Sequence, residues 1–181
     1  MADLHKLAQL IRERTLIDNQ IAVLVGRPAE RGHTGEYIAA AIFGIELHPS
    51  ATHKGSDGQF TSGPLAGRTV NVKWYNRFAS LLDINPLGVP DYYLVLTGPK
   101  GSAVSSRGLT NPWVIDYVFL LNASQVIADL TARGVVIGVA SSVRTHLWTA
   151  AELYPVQNNN SLILTDEQRT LLALFASQSP T

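Results

Sequence analysis

The chain has 181 residues, 46% of them apolar and 15% charged, enough to bury one sizeable core, and its 14 basic residues balance 14 acidic ones. It contains no cysteine, which excludes a disulfide scaffold, Cys-ligated zinc, an iron–sulfur cluster and thiol chemistry; the charge balance excludes a global positive field for non-specific nucleic-acid binding. No apolar run reaches membrane-spanning length, and the first residues mix charges with apolar positions rather than placing an apolar run after a basic one, so the expectation is a cytoplasmic protein without membrane contact.

Leu4, Leu7, Leu10 and Ile11 recur at helical spacing, and after a break at Thr15 a second short helix is expected from a capping Asp18 to Val25, ended by Gly26 and Pro28. A third helix runs through GEYIAAAIFGIEL, with Ile38, Ile42 and Ile45 on one face and Glu36 in its first turn. From His48 to Arg68, Gly, Ser, Pro and Thr crowd together, which predicts a hairpin region of short extended pieces. Thr69–Tyr75 then alternates, placing Val70, Val72 and Trp74 on one face and Asn71, Lys73 and Tyr75 on the other. DYYLVLTG and WVIDYVFLL are nearly continuous apolar runs and read as central strands, with Thr69–Tyr75 between the hairpin near Asp57 and DYYLVLTG. A helix is expected from Gln125 to Arg133, stopped by Gly134, and VVIGVASSV reads as a further buried strand.

The tail predicts a helix through THLWTAAELY up to Pro155. A last helix opens on a Thr165/Gln168 capping box and buries Leu171, Leu172, Leu174 and Phe175. The fold class is α/β, a single domain over residues 1–181 with a mixed central β-sheet flanked by helices. N-terminal helices take about residues 3–46, a motif-bearing sheet core about 47–145, and C-terminal helices about 146–177.

Three polar positions invite chemistry: Glu36 at a helix start, Asp57 in the turn-rich KGSDGQF, and Lys73 in VNVKW. A carboxylate held by a tight turn, beside a strand carrying a lysine, can hold a hard divalent metal next to a cation. That combination suits phosphodiester hydrolysis, in which charge grows on the phosphate as water attacks. Each residue also has a plain structural reason to be there: the helix dipole for Glu36, an Asp-Gly turn for Asp57, and the solvent face of an amphipathic strand for Lys73.

Glu36, Asp57 and the triplet Asn71-Val72-Lys73 fall in that order, with Gly55, Gly58 and Gly67 at the turns. The string GEYIAA … GSDGQF … GRTVNVKW thereby resembles the PD-(D/E)XK, or restriction-endonuclease-like, nuclease superfamily, and within it a bacterial subgroup, over about residues 30 to 100. The resemblance implies a restriction-endonuclease-like core and a metal-dependent DNA endonuclease using Mg²⁺, with Mn²⁺ as its substitute. Asp57, Glu36 and Asn71 are the implied metal ligands, and Lys73 the residue supporting the attacking water or the transition-state charge. Where the superfamily pattern has a carboxylate or glutamine this chain has Asn71, whose amide oxygen can ligate but brings no charge, so metal affinity leans on Glu36. DNA is the implied partner, with a homodimer and a methyltransferase or other defence-system protein as further ones.

Arg27, Arg31, Lys100 and Arg107 are candidate DNA contacts, the last two in the long loop TGPKGSAVSSRGLTNP. The alternative on the same fold is a non-catalytic DNA-binding or protein-interaction module, favoured by Asn71 and the zero net charge. A serine hydrolase is set aside because no G-x-S-x-G elbow surrounds Ser141 or any other serine. His33, His48 and His53 match no common zinc spacing. Asp116, which interrupts WVIDYVFLL, reads as an edge or arginine-paired residue rather than a buried acid.

Overall fold

The computed structural model describes residues 2–49, 55–101 and 112–178. Helix α1 (Ala2–Val25) is continuous, without the break expected at Thr15. No glycine or proline interrupts it, and the Thr15 hydroxyl donates to the Ile11 carbonyl oxygen at 2.9 Å, which accommodates a β-branched residue within the helix. Gly26, at φ 72°, ends it as expected.

Helix α2 (Arg31–Phe43) stops earlier than the isoleucine spacing suggests. Gly44 takes the left-handed conformation (φ 64°, ψ 52°) and donates its N–H to the Ala40 carbonyl, so the chain reverses and Ile45–Leu47 becomes strand β1 rather than helix. Strands β2 (Gly58–Phe60), β3 (Thr69–Tyr75), β4 (Leu81–Leu82), β5 (Tyr92–Thr97) and β6 (Tyr117–Asn122) follow, then α3 (Ala123–Ala132), β7 (Ser141–Ser142), α4 (Thr145–Ala151), β8 (Glu152–Tyr154) and α5 (Asp166–Ala173).

Among the described residues six strands form one mixed sheet in the order β1-β2-β3-β5-β6-β8. β1, β2 and β3 are antiparallel neighbours, β5 lies parallel to β3, and β6 and β8 continue antiparallel. Strand β3 has the bounds its alternation predicts and sits between the Asp57 hairpin and β5, as expected.

The alternation also sorts the core into two layers. Val70, Val72 and Trp74 pack with Leu94 and Leu96 under Ile38, Ile42 and Phe43 of α2. On the other face Tyr93, Val95, Phe119 and Leu121 pack with Val126 and Leu130 of α3 and Trp148 of α4. β5 and β6 therefore bury both faces, which is why they read as unbroken apolar runs.

Other expectations need correction as well. VVIGVASSV is not a buried strand: Val136 and Val139 are 87% and 88% exposed, Ala140 has a positive φ of 56°, and only Ser141–Ser142 pair, with β4. Helix α4 ends at Ala151, and Glu152–Tyr154 leaves the predicted helix to pair with β6, where Glu152 and Leu153 are buried; pairing with a sheet edge overrides helix propensity there. WVIDYVFLL becomes strand only from Tyr117.

The sheet accordingly begins at Ile45 and takes its last strand from the C-terminal part, beyond both limits set for the sheet core. α3 starts two residues early because Asn122 caps it by accepting from the Gln125 N–H. The Thr165/Gln168 capping box is present and Leu172 is buried, whereas Leu174 is exposed. No helix among the described residues is long and apolar enough to cross a membrane.

A Cβ at Gly58 would overlap the Glu46 carbonyl oxygen across the β1–β2 ladder. Gly58→Ala is therefore expected to lower stability by about 1–3 kcal/mol, the usual cost of forcing extra volume into a packed site, as measured by urea unfolding. Wild-type stability in that variant would show that the strands do not approach so closely.

Candidate functional site

The site begins just before β2. The Asp57 N–H donates to the Val70 carbonyl at 2.8 Å and the Asp57 carbonyl accepts from the His48 N–H at 2.9 Å, so the backbone continues the ladder one residue past Gly58. At the next position along β3 the partner is no longer backbone: the Val72 N–H donates to Asp57 Oδ2 at 2.7 Å. One carboxylate oxygen thus replaces a strand acceptor. Gly55 fixes the turn before it, with φ 92° and no room for a side chain, since a Cβ there would overlap the Gly88 backbone.

Burial is the main influence on Asp57 and pushes its carboxyl above the ordinary aspartate range; Glu36 adds to this, while the Val72 N–H, Lys73 and Arg27 oppose it. The structure thereby brings Glu36, Lys73 and Arg27 into the field of Asp57. Glu36 approaches from the α2 side of the sheet, whereas Asn71 and Lys73 project from the face opposite Val72, and Asp57 stands at the strand end between them.

Arg27, a candidate DNA contact by sequence, is engaged within the fold. Its guanidinium donates to Glu36 at 2.5 Å, with the Glu36 side chain only 16% exposed. Asn71, 9% exposed, keeps a buried side-chain oxygen with no donor among the described residues, a costly condition for a polar group. Its register partner Tyr93 is 1% exposed, carries an unpartnered hydroxyl, and is pushed by burial up to about 12.

The donor set suits a hard cation in kind: one carboxylate anchored through a single oxygen, a second carboxylate nearby, and an amide oxygen lacking a donor. Among the described residues no three His, Cys, Asp or Glu side chains gather at one point. The site carries two carboxylates, Asp57 and Glu36, and two cations, Lys73 and Arg27.

The remaining candidates separate. Lys100 turns inward: its ammonium lies 3.3 Å from the buried Glu152 carboxylate and 4.1 Å from the Tyr117 ring centroid, with Phe78 and Phe119 beside it. Arg31 lies over the Trp113 ring at 5.7 Å; burial lowers its pKa, and its Nε has no acceptor. With Arg14, Asp18 and Ile21 it lines a cleft of about 390 Å³.

Arg107 and His53 lie outside the described residues. His33 Nδ1 lies 3.1 Å from the Pro28 carbonyl oxygen, and His48 Nε2 lies 3.1 Å from Ser56 Oγ. Asp116 precedes the inner strand β6 rather than an edge strand, and among the described residues it has no arginine partner: one oxygen accepts from the Ser177 N–H at 2.8 Å and the other is buried without a donor. Arg27 as partner of Glu36 and Glu152 as partner of Lys100 escape sequence reasoning, because both pairings depend on where turns and strands bring distant residues. No protein-family model matches the chain, and no curated protein matches it.

Two outcomes follow from these environments. An acid whose folded pKa is raised binds its proton more tightly in the native state, so it loses stability as pH rises from the ordinary aspartate value of 3.8 through the raised one. Asp57→Asn is accordingly expected to be more stable than wild type at neutral pH, with the gain vanishing well below that window in pH-dependent urea unfolding. Lys100→Ala strands the buried Glu152 carboxylate and should cost about 1–3 kcal/mol, less than a fully buried pair because Lys100 is 42% exposed. A cost under about 0.5 kcal/mol would mean that water replaces the ammonium freely.

Proposed function

We propose that the chain is a cytoplasmic, restriction-endonuclease-like phosphodiesterase that cuts DNA with a divalent cation held at Asp57. The observation that carries this reading is the combination of a half-buried Asp57 carboxylate, anchored through one oxygen to the Val72 N–H, with an Asn71 oxygen that has no donor among the described residues, on the strand that presents Lys73. Uncompensated buried acceptors and desolvated acids cluster at functional sites. The order of α2, an antiparallel β1-β2-β3 meander and a parallel β5 supports the same reading.

Asp57, Asn71 and Glu36 would hold the cation, Mg²⁺ with Mn²⁺ as substitute, which supplies charge neutralisation for the phosphate. Lys73 brings an ammonium to the same edge, where it stabilises the growing phosphate charge and orients water. Arg27 fixes the Glu36 carboxylate, and Arg31, half-buried over Trp113 and in no ion pair among the described residues, is the remaining described candidate for a backbone phosphate, through the terminal nitrogens of its guanidinium. A methyltransferase or other defence-system partner belongs to this reading only where cleavage is sequence-specific.

The second reading is a non-catalytic DNA-binding or protein-interaction module on the same fold. The Arg27–Glu36 pair favours it, because Glu36 is already neutralised and Asn71 adds no charge.

Incubation of the chain with single-stranded, duplex and branched DNA plus Mg²⁺ or Mn²⁺ separates the two. Cleavage should disappear in Asp57→Ala and Lys73→Ala variants that remain folded, while Asn71→Asp keeps or raises it by adding ligand charge. Glu36→Ala should cost more than tenfold, about 1.4 kcal/mol. A smaller loss makes Glu36 only the partner of Arg27. No cleavage by wild type and no metal binding by calorimetry would leave the non-catalytic module.

A further inference from the structure

Helix α1 (Ala2–Val25) covers the body of the protein with only its last two turns. Asp18, Ile21, Ala22 and Val25 are partly buried, and among residues 3–17 only Ala8 is. The apolar stripe that those last turns bury does not stop with them. At 3.6 residues per turn it runs on through Leu4 (67% exposed), Leu7 (52%), Leu10 (51%), Ile11 (56%) and Ile17 (56%), an exposed apolar face along four turns of helix, interrupted by Arg14.

The spacing within that face is that of a helix seam. Asp3, Leu7, Leu10, Arg14, Ile17 and Ile21 follow one another at intervals of four and three residues, the a/d pattern of a coiled coil. The first of these positions is acidic and one in the middle is basic. A parallel in-register pair would set Asp3 against Asp3 and Arg14 against Arg14. An antiparallel pair with its two-fold axis between Ala8 and Gln9 instead sets Leu7 against Leu10 and Asp3 against Arg14, each contact made twice. Arg14 is able to turn to such a partner, because its side chain is 78% exposed and its contact with Asp18 is a long 3.4 Å.

We infer that the free half of α1 is a self-association surface, occupied by α1 of a second copy of this chain lying antiparallel about the Ala8–Gln9 junction. The overlap of residues 3 to 14 spans about 18 Å, which places the dimer at the small, concentration-dependent end of specific interfaces. The inference is independent of the nuclease reading, since none of these residues belongs to the Asp57 site.

Sedimentation equilibrium of the full chain over a concentration series should show a monomer–dimer equilibrium. Leu7→Glu should abolish it, and Leu16→Glu, exposed at 63% but on the opposite side of the helix, should leave it intact. Because the chain has no cysteine, orientation can be read directly by disulfide trapping. Asp3→Cys and Arg14→Cys proteins, mixed and oxidised, should cross-link to each other while neither cross-links to itself. Each variant cross-linking to itself would establish a parallel pair and overturn the proposal. A wild type that sediments only as monomer, or a dimer unaffected by Leu7→Glu, overturns it as well.

Discussion

A single hydrogen bond, from the Val72 N–H to the Asp57 carboxylate, sets the shape of the site. Strand β2 is three residues long and its backbone ladder with β3 runs out at Val70. An edge N–H left open at that point would have to find water or a ligand. By filling the place with a side chain, the chain terminates β2 without losing a donor's partner, and it holds an acid in the plane of the sheet rather than above or below it. Groups on both faces, Glu36 under α2 and Lys73 on the other side, then act on the same carboxylate.

This arrangement explains why the chemistry is legible in the sequence and most of its electrostatics is not. The alternation in Thr69–Tyr75 has a period that only a strand satisfies, so the pattern by itself puts Asn71 and Lys73 on one face. The Asp57 turn is legible because Gly flanks it on both sides at short spacing. Arg27 meeting Glu36 depends on the angle at which α1 hands over to α2, and nothing in a nine-residue separation encodes that angle. The helices that spacing extends through Ile45 and Glu152 fail for a shared cause: each of these short segments carries a helix-compatible sequence but borders a sheet edge with open hydrogen bonds. Tertiary pairing decides both.

A neutral chain need not have a neutral inventory of available charges. Arg27 is committed to Glu36, Lys100 to Glu152 inside a box of three aromatic rings, and Arg133 to Asp129 and the Ser142 carbonyl. Cations that look like surface contacts in the sequence are therefore structural. Lys100 is instructive, since it joins the start of the loop after β5 to β8, a strand 52 residues further on. Arg31, which faces Trp113 and has lost solvation without gaining an acceptor at Nε, is the contrasting case.

The close approach of Gly55 to the Gly88 backbone has a consequence for how this protein can change over time. The turn before Asp57 and the connection between β3 and β5 are separate loops in sequence, yet at this contact they fit only because one of them lacks a side chain. A loop is normally where a fold absorbs insertions and drift. Here a shift of either backbone at this contact moves the other, and with it the carboxylate beside β2. Variation is accommodated more cheaply in the segment from Val135 to Ala140, where Val136 and Val139 stand in solvent. The two loops are thus expected to diverge together or not at all, as one inherited unit.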